Sequence, residues 1–278
     1  FDIARDGRTE CVFGLAADGA NGGQAGAQPV SMETIEQIQV NVAPFDVRQG
    51  GFTGGAINAI TKSGTNVFHG SVYGFGNNQN LIGSKYPLAD GGYAPKYNKQ
   101  QEDNAGITFG GPIIKDKLFF FANYEKTNKT YPNLYTLGSE SSAVDAAKAS
   151  DVLAKIADLA QRQGVNYPTA LSTEDIYTRS DKGGLKLDWN INETNKATVR
   201  WSIVSASQLN NAGSRKALNG SSYAYPFKSV TNSFIAELQS RLSPSVANEA
   251  RASYVRVRDK RDINGEYPSI SVNNVGGG

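Results

Sequence analysis

The chain has 278 residues with 28 basic against 26 acidic side chains. Its Lys and Arg form no continuous stripe, so a duplex-binding surface, which needs them gathered on one face, finds no support. Hydrophobic residues make up only 39% while Gly reaches 30, Tyr 13 and Phe 12, the balance of a glycine- and aromatic-rich all-β protein rather than a helical enzyme. Cys11 is the single cysteine; it can form no internal disulfide and supplies no structural zinc site by itself.

No run of about 18 apolar residues is present, so the sequence contains no transmembrane helix. A β-barrel escapes that test, because its strands need about ten residues each and only alternate side chains face lipid. No signal peptide is visible at Phe1, which is equally expected of an exported protein in mature or partial form.

In chain order, the first thirty residues are rich in Gly and Ala, lack a sustained period and read as irregular structure. Ser31 followed by Glu33 resembles a helix cap and first turn, after which Ile38, Val40 and Val42 alternate as one face of a strand that Pro44 interrupts. Gly50, Gly51, Gly54 and Gly55 permit close backbone approach, Ala56 to Thr61 is a short strand, and Ser63-Gly64 marks a turn. The glycines do not make a phosphate loop. The Gly-Lys-Ser/Thr ending is missing, and Lys62 follows a strand instead of opening a helix.

Beyond Thr65 the alternation predicts strands near 67 to 77, 103 to 111, 117 to 127, 182 to 190, 196 to 205, 230 to 242 and 246 to 259. The short connections GPIIKD, INETN and LSPSV alternate with long polar ones at 78 to 102, 127 to 181 and 206 to 229, as in outer-membrane barrels with tight periplasmic turns and extended outer loops. Leu185, Leu187 and Trp189 alternate with Lys186 and Asp188; Val199, Trp201 and Ile203 with Arg200 and Ser202; Phe234, Ala236 and Leu238 with Glu237 and Gln239. One face of each strand therefore meets water or a polar filler. A soluble sandwich would show the same alternation. Aromatics near strand ends, among them Tyr73, Phe75, Tyr124, Trp189, Trp201 and Tyr254, favour the interfacial girdles of a barrel. Phe119, Phe120 and Phe121 place aromatics on both faces, so one must point inward, against a packed filler rather than a water-filled lumen. The long loop after Thr127 holds a helix expected over 142–163, capped by Ser142 and Asp145 and closed by Gly164.

Residues for chemistry are scarce. His69 is the only histidine, which leaves Ser63 and Ser214 without a triad and makes a hydrolase untenable. No HExxH, CxxC or EF-hand spacing occurs. Acidic groups at Asp259, Asp262 and Glu266, and at Glu140, Asp145 and Asp151, have no spacing that fixes the six or more oxygens calcium requires. The sequence implies no enzyme, no cofactor and no metal site.

The run METIEQIQVNVAPFDVRQGGFTGGAINAITKSGTNVFHGSVYGF resembles the end of the plug and the first barrel strand of TonB-dependent outer-membrane receptors. It is particularly similar to the Oar-like branch common in Bacteroidetes. FGGPIIKDKLFFFANYEKT resembles the second and third barrel strands of that branch. The resemblance covers residues 31 to 127 and implies the following. Residues 1–66 are the C-terminal part of a plug, and 67–278 are about seven strands of a transmembrane antiparallel β-barrel of some 22 strands. Gly50, Gly51, Gly54, Gly55, Asn58, Thr61 and Lys62 form a structural motif at the plug's end, with Ile57 and Ile60 beside them. Members of the family import scarce ligands in the bacterial outer membrane and couple to a TonB-type energy-transducing complex, here through a segment outside this sequence. Their other partners are outer-membrane lipid and accessory surface or periplasmic proteins. An adhesin-like, structural or secretion-associated subunit is the alternative. The polar loops at 78–102 and 206–229 suit polar or carbohydrate-like ligands. Seven strands would leave open edges in lipid, so the remaining wall is expected from a longer polypeptide or another chain.

Overall fold

The computed structural model describes residues 10–12, 25–28, 30–42, 55–81, 86–87, 93–94, 100–139, 142–210, 214, 216–263, 270 and 272. Its early strands are β1 (Glu10–Val12), β2 (Ile35–Val42) and β3 (Gly55–Thr61), followed by β4 (His69–Asn78), β5 (Tyr86–Pro87), β6 (Tyr93–Ala94), β7 (Gln101–Ile114) and β8 (Leu118–Tyr131). After helix α1 (Ala146–Arg162) come β9 (Ile176–Asn190), β10 (Asn195–Asn210), β11 (Tyr225–Ser243) and β12 (Val246–Arg261). A three-stranded sheet has the order β1-β3-β2, and a seven-stranded antiparallel meander the order β12-β11-β10-β9-β8-β7-β4.

Within the large sheet the connections alternate as the sequence predicts. Tight turns at 115–117, 191–194 and 244–245 lie at one end, long excursions at 79–100, 132–175 and 211–224 at the other. The strands outrun their expected limits at the long-loop end: β9 starts at Ile176 rather than 182, β11 at Tyr225 rather than 230, and β10 continues to Asn210. There apolar and polar residues no longer alternate strictly, Ala206, Leu209 and Phe227 being buried among polar neighbours, so the sequence stops signalling a strand while the backbone goes on pairing, as in Ser207↔Lys228 and Gln208↔Phe227.

Three local readings change. Residues 10–12, expected to be irregular, form β1 along β3 with Cys11 opposite Ala59. Ser31 precedes a single 3-10 turn and makes no side-chain cap to it. The helix begins at Ala146, later than Ser142. The Asp145 side chain accepts from the Ala147 and Lys148 backbone amides, whereas Ser142 Oγ takes only the amide of Val144 at 3.2 Å. Those amide bonds, that of Lys148 foremost, hold the Asp145 carboxyl below its ordinary range. The helix closes at Gly164, whose φ of +66° suits glycine, with Val165 N donating to Ala160 O at 2.9 Å. A two-residue hairpin, β5 with β6, forms inside the first long excursion.

The meander is inside-out relative to a soluble sheet. Lys182, Lys186, Asp188 and Arg200 are buried at 5–8% exposure, whereas Trp189 and Trp201 are 49% and 42% exposed. Phe234, Phe109, Ile107 and Val72 also stand on the exposed face. On β10 the exposed apolar stripe runs from Ala197 to Ile203, about 20 Å along a strand, comparable with the roughly 25 Å apolar band of membrane barrels. No helix among the described residues is long and apolar enough to cross a membrane.

One row of the meander depends on a missing side chain. Tyr73, Gly106, Glu125 and Lys182 face one another across four consecutive strands. A Cβ at Gly106 would lie 2.3 Å from the Tyr73 hydroxyl and 2.8 Å from the Tyr124 carbonyl. Gly106→Val is therefore expected to displace Tyr73 and strain the β7–β8 pairing. On an unheated electrophoretic gel the folded, heat-modifiable species of the protein should be largely lost; unchanged yield and heat resistance would contradict this packing.

Candidate functional site

Described residues at 25–33 and 61–63 meet the polar face of the meander, and their contacts define the site. Near the long-loop end Ala25 and Ala27 are buried with Ala206 and Phe227, and Tyr225 packs against them. Gly26 sits there with φ +65°, close under the Gln208 amide. Small residues at this point let the backbone itself approach the wall.

Midway, Glu125 gathers three polar partners. Its Oε1 accepts from Lys182 Nζ at 2.6 Å and its Oε2 from Ser31 Oγ at 2.6 Å and the Tyr73 hydroxyl at 2.8 Å; Ser31 Oγ and the Tyr73 hydroxyl are themselves 2.9 Å apart. Glu125 and Lys182 are 2% and 5% exposed. The pair is thus one in which loss of either charge leaves the other buried and uncompensated. The tyrosine reaches Glu125 from two strands away because Gly106, lying between them, has no side chain.

Nearer the tight-turn end, Lys186 Nζ donates to Ser63 Oγ at 2.8 Å and to the Thr61 carbonyl at 3.4 Å, with Asp188 at 3.9 Å. Thr198 Oγ1 donates to Asp188 at 2.9 Å. Lys62 pairs with Glu33 at 3.0 Å, tying the 3-10 turn to the end of β3, and Ser71 Oγ of β4 reaches Glu33 at 3.4 Å. The inward aromatic expected from the Phe119–Phe121 run is Phe121, 3% exposed, its ring 6.5 Å from that of His69. Phe120 turns to the exposed face, where it meets Phe109 and Phe68 at 5.5 and 6.4 Å between ring centroids.

Of the glycine-rich motif, Gly50, Gly51 and Gly54 lie outside the described residues. Gly55 opens β3 opposite Val42, and Asn58 sits between Gln39 and Val12. Thr61 and Lys62 are the two that reach the contact. The decisive residues of the meander, Tyr73, Glu125, Lys182 and Lys186, belong to no motif of fixed spacing. Their one sequence signal is charge or hydroxyl on the non-lipid register of a strand. The acidic groups do not converge: Asp151 pairs with Lys155 at 2.7 Å and Asp262 with Lys228 and Lys260, each at 2.6 Å, while Glu140 and Glu266 lie outside the described residues. No cluster of metal-ligating side chains occurs among the described residues. His69 is exposed, its Nδ1 3.1 Å from the Val67 carbonyl. The site is suited to holding one segment of chain against a wall rather than to transforming a bound molecule.

A family model described as the outer membrane beta barrel domain matches residues 60–170, from the end of β3 through α1. Half of the chain, 145 residues, is 31% identical to the TonB-dependent transporter Oar of Myxococcus xanthus. The chain carries outer-membrane β-barrel wall. A second relative is the probable TonB-dependent siderophore receptor PirA of Acinetobacter baumannii, 32% identical over 133 residues or 46% of the chain. These matches span 14% and 16% of the two relatives' lengths. No solved structure matches. The barrel wall thus lies in the bacterial outer membrane, and its relatives are named as a transporter and a receptor. Its exposed apolar stripe faces lipid and its polar face the lumen.

Removing one member of the central pair is the sharpest energetic test of this contact. Glu125→Leu, like Lys182→Met on the other side of the pair, is expected to destabilise the detergent-solubilised barrel by about 3–5 kcal/mol, because the remaining charge stays buried without its partner. The double change to Leu at 125 and Met at 182 should recover most of that loss. A double-mutant cycle on thermal unfolding midpoints reads the coupling, and additive effects would show that the two charges act independently.

Proposed function

We propose that residues 1–66 are the end of a plug and 67–278 the first seven strands of the wall of a TonB-dependent transporter, which imports a scarce ligand when the plug is displaced. The observation that carries this reading is the seat of the inner segment on the lumen face. Ser31, the Thr61 carbonyl and Ser63 attach to Glu125 and Lys186 through hydrogen bonds. Such bonds exchange readily for water, at a net cost of about 0.5–1.5 kcal/mol for a typical one and more where a partner is charged. An interlocked apolar core would resist displacement far more strongly.

In this reading Gly50, Gly51, Gly54, Gly55 and Asn58 shape the plug's last strand, while Thr61 and Lys62 join it to the wall. The energy-transducing partner is a TonB-type complex acting through another part of the polypeptide. Ligand capture falls to the plug apex near Ala25 and the long loops, including 211–224, which borders the same end.

The test is occlusion. Cells whose outer membrane carries the natural full-length protein should exclude vancomycin, a solute too large for ordinary porins. A variant lacking residues 25–63 should make them sensitive while its barrel remains heat-modifiable. Continued exclusion with an assembled barrel would remove the plug assignment. Import is read separately with a ferric siderophore, the ligand class in one relative's name, whose accumulation should stop on adding a protonophore while surface binding persists.

A further inference from the structure

The lipid-facing register of β12 changes character abruptly. From Ala250 toward the long-loop end its outward positions read Ala250, Ala252 and Tyr254, then Arg256, Arg258 and Lys260. On β11 the matching outward positions are Ala236 and Phe234, then Asn232, Val230 and Lys228. An arginine facing lipid at mid-membrane costs about 2–4 kcal/mol, and close to nothing at the interface. The switch after Tyr254, a girdle aromatic, therefore marks the membrane boundary. Because it lies toward the long-loop end, that boundary belongs to the outer leaflet.

We propose that Arg256, Arg258, Lys260 and Lys228 form a binding site for the phosphates of the outer leaflet's glycolipid, lipid A. Arg256, Arg258 and Lys260 follow one another up β12, with Lys228 opposite Lys260 on β11 and an apolar stripe below them, which matches a ligand that is anionic at its headgroup and apolar below it. Lys228 and Lys260 share the single carboxylate of Asp262, each at 2.6 Å. The planar guanidinium groups of Arg256 and Arg258 suit bidentate contact with phosphate. The adjacent lumen register carries a different pattern, with Arg251 paired to Glu237 at 3.0 Å. The basic excess is thus confined to the side that meets lipid. The site concerns the wall alone and stands whether or not the plug reading holds.

The experiment uses the full-length protein in detergent, with its thermal midpoint followed as lipid A is added. Lipid A bearing both phosphates should raise the midpoint, and lipid A stripped of phosphate should not. The Arg256→Gln, Arg258→Gln, Lys260→Gln variant should bind the phosphorylated form roughly tenfold or more weakly, and it should copurify with less of it. Equal stabilisation by both lipids would overturn the proposal without any variant. An equal shift from inorganic phosphate alone would also overturn it, reducing the site to a general anion patch. If the triple variant does not assemble, Arg256→Lys with Arg258→Lys serves instead. Lysine keeps the positive charge but cannot grip a phosphate with two parallel bonds, so weaker binding supports the site and unchanged binding counts against it.

Discussion

A sheet in a membrane has two surroundings to satisfy at once, and every backbone donor and acceptor within it must find a protein partner because hydrocarbon offers none. The meander β4-β7-β8-β9-β10-β11-β12 meets that demand by continuous antiparallel pairing. Pairing fixes the register, and register fixes which side chain sees which surrounding, since a shift of one residue would exchange the faces. Tryptophans at 189 and 201 are thereby turned to lipid, and the charges of Lys182, Lys186, Asp188 and Arg200 to the interior. The polar contact with the inner segment, the girdle and the basic boundary of β12 all follow from that single alternation.

The interior charges then require compensation, and the structure supplies it locally. Glu125 answers Lys182 on the neighbouring strand and takes hydroxyl donors from Tyr73 and Ser31. Lys186 finds Ser63 and the Thr61 carbonyl. The wall thus holds the inner segment with the same groups it needs to neutralise its own polar face. A purely water-filled interior would leave Phe121 without purpose; beside His69 and under the inner segment it is a packed residue.

Much of this is legible in the sequence, for physical reasons that also mark its limits. Leu185, Leu187 and Trp189 against Lys186 and Asp188 disclose a two-faced strand because lipid and lumen differ sharply in polarity. Beyond the membrane boundary that contrast ends, so the upper reaches of β9, β10 and β11 look like loop in the sequence. Ser31 resembles a helix cap because hydroxyls near acidic residues commonly are; its partner, Glu125, lies 94 residues away, a separation no local pattern encodes. The start of α1 turns on a competition between two oxygens. The Asp145 carboxylate, reaching two amides, prevails over the Ser142 hydroxyl, which reaches one. Thr61 and Lys62 are legible through family resemblance, whereas Tyr73, Lys182 and Lys186 emerge only once strand register is known.

The gap at Gly106 bears on assembly as well as on packing. Tyr73 crosses it to touch a carboxylate on the second strand over, so three strands must be in correct alignment before that bond can close. A hairpin of β7 and β8 that slipped by one residue would turn Glu125 toward lipid and put a different residue beneath the tyrosine ring. The tyrosine therefore acts as a gauge of alignment that reads across a neighbour rather than along it. A wall laid down strand by strand gains from such a gauge, because an error is met as an unpaired buried charge before further strands are added.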